Sequence, residues 1–120
     1  MSKEPTPFRF TIEQGEQALA GVTTLPRSAP LFEHGSLLVK MYGPRGIDQQ
    51  HPHSRDEVYV VARGRGRFVC GERSAPFEAG DLLFVPAGMT HRFEDFSADF
   101  LTWVMFYGPE GGEARGERST

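Results

Sequence analysis

Short runs of apolar residues, broken every few positions by glycine or proline, make up most of this 120-residue chain. Leu37, Leu38, Val39 and Met41 form one run, closed by Gly43, Pro44 and Gly46, and predict a strand over 36–42. Residues 57–63 have the β-branched and aromatic content of a buried strand, with a turn at Ser54, Arg55 and Asp56 before it and Gly64 after it. From Arg65 onward the pattern alternates, which sends Arg65 and Arg67 outward while Phe68 and Cys70 face inward. Short strands follow around 76–78 and 82–85, separated by Gly80 and Asp81 and ended by Pro86, Ala87 and Gly88. His91 and Phe93 then share one face of a strand, opposite Arg92 and Glu94, and the almost wholly apolar stretch 99–107 implies a strand buried on both faces.

The ends are less patterned. Phe8 to Ile12 fits a short strand, and Glu13 to Ala20 would tolerate a helical turn or two within the limits set by Gly15 and Gly21. Residues 1–30 therefore read as an extension contributing edge strands, 31–107 as one barrel or sandwich, and 108–120, polar and glycine-rich, as a disordered tail.

Composition narrows this picture. Fourteen glycines and nine prolines spread along the chain leave no space for long helices, and ten phenylalanines between them supply an all-β core. At 13.4 kDa there is room for a single domain. A net charge of -3 argues against a nucleic-acid partner, which calls for a basic excess. No stretch is long and apolar enough for a membrane span, and the first ten residues resemble no signal peptide. The single cysteine, Cys70, excludes an intramolecular disulfide framework and suits a reducing compartment, so a cytoplasmic protein is expected.

Four histidines occur, and two of them stand as His51-Pro52-His53 with Glu57 four positions beyond the second. If this segment is extended, His51 and His53 leave on one face, about 7 Å apart. Two imidazoles and a carboxylate suit Fe, Mn, Ni or Zn as divalent ions, and His91 on a later strand offers a third imidazole. Taken singly, each fits an ordinary surface or loop histidine.

Taken together, the spacing resembles both motifs of the cupin family. The first is matched by His51, His53, Glu57 and Gly64, and the second by Gly80, Pro86, Gly88 and His91. The resemblance spans 43–95 and implies a jelly-roll β-barrel holding one divalent transition metal through His51, His53, Glu57 and His91. It departs from the family in the spacing of Gly43 and Gly46 before His51, and in Asp95, where asparagine is common. Gly64, Gly80 and Gly88 are expected at turns of positive φ.

His34, Arg63, Arg65, Arg67 and Cys70 are read as surface or packing residues. Tyr59 and Phe93 share parity with Glu57 and His91, and with the inward Phe68 they are candidates for the lining of a substrate pocket. Four protein ligands on an ion able to take six leave positions open, which favours a metal-dependent oxidoreductase of the dioxygenase kind common among cupins, acting on a small molecule. The alternative is a non-redox cupin, either a small-molecule binding protein or an isomerase or hydrolase using the metal as a Lewis acid. The family resemblance, and apolar outer positions at Leu37, Val39 and Met41 and along the final strand, also lead to the expectation of a homodimer.

Overall fold

The computed structural model describes residues 7–48 and 51–114. Among the described residues there are eight strands and one helix: α1 (Ile12–Ala20), β1 (Ser28–His34), β2 (Leu37–Tyr42), β3 (Asp56–Arg63), β4 (Arg65–Cys70), β5 (Arg73–Glu78), β6 (Leu82–Val85), β7 (His91–Glu94) and β8 (Leu101–Tyr107). A five-stranded sheet, β1-β2-β8-β3-β6, faces a three-stranded sheet, β5-β4-β7, and every pairing is antiparallel. The two do not close into a continuous cylinder, so the architecture is the jelly-roll form of the expected all-β fold.

The period of two along each strand sorts the core. On β3, Tyr59 and Val61 face inward, opposite Val104 and Thr102 of β8; on the facing sheet Phe68 and Phe93 are partners in register. With Tyr42, Phe77, Val85 and Phe100, the apolar residues of this set form a buried cluster between the sheets. Pro76 sits on β5, an edge strand, where its missing N–H costs no ladder bond.

The amino-terminal reading is corrected by the structure. Phe8 to Ile12 is not a strand; Ile12 opens α1. The cause is local: the Thr11 side chain accepts from the Gln14 N–H, and the Gln14 side chain accepts from the Thr11 N–H, a capping box that starts a helix. Gly15 helps rather than hinders, because α1 lies so close to β2 that a Cβ at this position would be 2.1 Å from Met41 Cε. Leu19 is thereby buried with Ala29, Met41 and Leu101 on the outer face of the larger sheet. The first strand, β1, enters at Ser28 and runs across the expected boundary at residue 30 to His34; residues 1–6 lie outside the described residues. The tail also differs from the reading of disorder as far as residue 114: Gly111 N–H donates to Ser54 O and Glu113 N–H to Asp56 Oδ2. Residues 115–120 lie outside the described residues.

Turn expectations hold, with φ of 88°, 95° and 79° at Gly64, Gly80 and Gly88. Asp95 is the one non-glycine residue with positive φ among the described residues, at 51°. Aspartate and asparagine both tolerate this left-handed region, which explains why the substitution at this motif position leaves the turn intact.

Candidate metal centre

Glu57 is the second residue of β3 and projects between the sheets with its side chain 1% exposed. His91, the first residue of β7, reaches it from the opposite sheet, with Nε2 3.0 Å from Glu57 Oε1. His53 comes from the loop leading into β3 and places Nδ1 3.0 Å from the same oxygen. Potential ligand atoms of His53, Glu57 and His91 all lie within 4.8 Å of one another. His51, by contrast, is exposed on that loop and is not part of the group, and His34 ends β1, stacked on Phe32.

The surroundings define the chemical state of each member. Met89 O is 2.9 Å from His91 Nδ1, and a carbonyl can only accept, so this nitrogen carries a proton and Nε2 is turned toward Glu57. Tyr59 OH lies 3.1 Å from the same Nε2. Burial works to raise the Glu57 pKa, but hydrogen bonds from His53 and His91, with their charge, outweigh it and hold the carboxyl below its usual range. Burial likewise works to lower the His91 pKa, and the Glu57 and Met89 hydrogen bonds and the charges of Glu57 and Asp48 more than reverse it. The carboxylate is thus ionised and ready to serve as an anionic ligand.

One atom is left over. Glu57 Oε2 is buried with no hydrogen-bond partner, an arrangement expensive for a carboxylate oxygen. A cation held among the three side chains would satisfy it, and the donor set of two imidazoles and one carboxylate fits a divalent transition metal.

The pocket candidates divide. Phe93 is buried, with ring centroids of Tyr42, Tyr59, Phe68, Phe77 and Phe100 between 4.7 and 6.3 Å away, and is chiefly packing. Tyr59 is also buried but keeps its hydroxyl at the ligand cluster. Phe68 lines a cleft of about 500 Å³ between β6 and the β4–β5 hairpin, along with Cys70, Leu83, Pro86 and Met89. This cleft adjoins the cluster: Cys70 pairs with His91 across the strands, and Met89 is the residue that fixes the His91 ring.

Two aspartates at the site were not singled out from the sequence. Asp48 accepts from Tyr42 OH and, at 2.8 Å, from Phe93 N–H, tying the 43–48 loop to β7. Asp56 is buried and grips two segments at once, its Oδ1 accepting from Ala87 N–H and its Oδ2 from Glu113 N–H, both at 2.8 Å. With Gly88 N–H donating to His53 O, these bonds fix the ligand loop to the turn before β7. Asp56 stands beside Glu57 at a turn-to-strand boundary, and that adjacency is the only sequence signal for it.

Comparison with known proteins agrees with the geometry. The family model of the cupin domain matches residues 38–107. An uncharacterised protein of Streptomyces coelicolor is 40% identical over 63 residues, a match covering 52% of this chain and 60% of that protein. Acireductone dioxygenase 1 of Pectobacterium atrosepticum is 45% identical over 69 residues, covering 52% of this chain and 39% of the enzyme. The chain thus spans between about two-fifths and three-fifths of the length of these relatives. A cupin 2 conserved barrel domain protein from Salinispora arenicola superposes with a TM-score of 0.64 at 19% identity, over 88% of this chain and 91% of that one, a likeness of fold. With the family model matching more than half of the chain, from within β2 through β8, the chain belongs to the cupin family.

Proposed function

We propose that this cupin is a metal-dependent oxidoreductase of dioxygenase type acting on a small molecule, with one divalent transition metal (Fe, Mn, Ni or Zn) per chain. The observation that carries the reading is the buried, unpartnered Oε2 of Glu57, a carboxylate whose other oxygen meets two imidazoles beside a cleft. His53, Glu57 and His91 would hold the ion, and His51 is proposed as the fourth ligand, brought in from its exposed place on the same loop. When bound, the metal supplies a Lewis acid and, for a redox-active ion, electrons for oxygen chemistry.

The chain's own part is to prepare that centre. Met89 O keeps the His91 ring oriented, and Phe106, 5.0 Å from the His53 ring, packs beside it on the barrel side. Tyr59 places a hydroxyl donor at the centre's edge, and Phe68 and Leu83 line the cleft with apolar surface. The dioxygenase name of the Pectobacterium relative favours oxygen chemistry. Metal analysis of untagged protein followed by oxygen-electrode assays on each metal form is the deciding experiment. Metal binding without oxygen uptake would favour the non-redox alternative, a binding protein or a Lewis-acid isomerase or hydrolase.

A homodimer is part of the same proposal. Register places Phe84, Val58, Met105 and Val39 in one row across the outer face of β6, β3, β8 and β2, and Phe84 is 48% exposed. Light scattering should give twice the 13.4 kDa chain mass. No helix among the described residues is long and apolar enough to cross a membrane; a cytoplasmic setting is proposed, where the lone Cys70 beside the site stays reduced.

A further inference from the structure

The cleft beside the cluster has one charged wall. In the smaller sheet Arg73 of β5 pairs with Cys70 of β4, and Cys70 pairs with His91 of β7. Directly paired residues of an antiparallel ladder point to the same side, so Arg73, Cys70 and His91 form a single row on the face that looks into the barrel. Two pairing steps put the Arg73 backbone about 10 Å from that of His91. Arg73 is exposed at the open side of the sandwich, where β5 and β6 are both edge strands, and its side chain lines the cleft. Among the described residues it makes no ion pair, unlike Arg63 and Arg92, which are neutralised by Glu16 and Glu94. The rest of the lining is mostly apolar, with Ser74 as a polar neighbour at the mouth.

From this row we infer that the cleft takes a small organic carboxylate, its hydrocarbon body against Phe68, Leu83 and Met89, its carboxylate on the Arg73 guanidinium, and its far end directed at the His53, Glu57 and His91 cluster. Arg73 is then the residue that sets substrate class; what the far end meets rests on the metal-centre reading above. The chemistry favours a carboxylate because a planar guanidinium can hold both oxygens at once, and because Glu57, at the inner end, is already compensated by two imidazoles. A neutral molecule would leave Arg73 without a counterion, and an amine would be repelled.

The chain's single cysteine provides a reporter inside the cleft. Burial raises the Cys70 pKa, with Glu57 adding to the rise and Arg73 opposing it, so alkylation is followed at alkaline pH with anionic iodoacetate and neutral iodoacetamide. Arg73→Gln should lower the ratio of the two rates by about threefold or more, because removing a nearby cation slows the anionic reagent selectively; the ratio cancels any change in thiolate fraction. Arg73→Lys should recover part of the ratio. Hexanoate, and not hexanol, should protect Cys70 saturably in the wild type and fail to do so in Arg73→Gln, and calorimetric titration with hexanoate should show the same loss without using the thiol. An unchanged ratio, or equal protection by hexanol, overturns the inference. Zinc content measured on the same samples separates the two readings. Normal zinc with no carboxylate effect sinks the substrate class alone, whereas absent zinc with an intact carboxylate effect sinks the metal centre and leaves the Arg73 site standing.

Discussion

Replacing His91 with alanine should weaken the protein even when no metal is present. The side chain is fully buried, with Nε2 3.0 Å from Glu57 Oε1 and Nδ1 2.9 Å from Met89 O. Its loss leaves a carboxylate of 1% exposure with one imidazole in place of two, while Oε2 remains unpartnered. Breaking a buried ion pair outright costs about 3–5 kcal/mol, and His53 keeps part of this one, so the cost is about 3 kcal/mol. In a domain of this size that lowers the melting temperature by about 12 °C. Metal affinity should fall at least about a hundredfold, equivalent to about 2.7 kcal/mol. The assay is a thermal melt at neutral pH in chelator, paired with zinc titration, for wild type, His91→Ala, Glu57→Gln and the double variant. Since the two side chains act on each other, the double variant should lose less than the sum of the singles, by about 1–2 kcal/mol. A His91→Ala protein that melts within about 1 kcal/mol of wild type and binds zinc as tightly would refute the site.

His51→Ala should lower metal affinity without altering the metal-free melt, because His51 is exposed and outside the cluster; equal zinc binding by this variant would remove it from the ligand set. Stability should respond to pH in opposite senses with and without metal. The raised His91 pKa contributes below the ordinary imidazole value of 6.5 and is lost as pH climbs through the folded value, whereas the lowered Glu57 pKa contributes above the ordinary carboxyl value of 4.5 and is lost only in stronger acid. Metal-free protein should therefore be steadiest in mild acid and metal-loaded protein above neutrality, since protons compete for the imidazoles; parallel melting curves across this range would contradict the assignment. Gly64→Ala should cost about 2 kcal/mol by denaturant unfolding, because φ is +88° and a Cβ would sit 2.7 Å from Phe100 Cα; a neutral result would mean the turn can relax.

Much of this was legible in the chain because the barrel strands carry their own period. The alternation of Arg67, Phe68, Val69 and Cys70 places the inner face of β4 correctly, and the glycines mark its ends. The sequence supports no more than a helical turn or two over Glu13 to Ala20 because Gly15 argues against it locally, and only the contact with Met41, twenty-six positions away, makes glycine the fitting residue. In the site, Glu57 and His91 follow from motif spacing. Whether His51 or His53 turns inward is decided by bonds that spacing does not encode, such as that from Gly88 N–H to His53 O. Asp48 and Asp56 act through backbone N–H groups of distant residues, and any carboxylate at a turn looks alike in sequence.

Asp56 carries a consequence for how the chain can be altered. Its two oxygens hold the turn before β7 and the stretch beyond β8, and the second of these partners lies 57 positions downstream. Trimming the protein after Tyr107 would remove no strand and no ligand, yet it would free one oxygen of a buried carboxylate and strip Ser54 O of the Gly111 N–H. The loop bearing His53 would then be tethered on one side only and would sample more conformations before any ion arrived. A shortened barrel of this kind would fold and still bind metal more slowly and more weakly, its loss being one of preorganisation rather than of ligands.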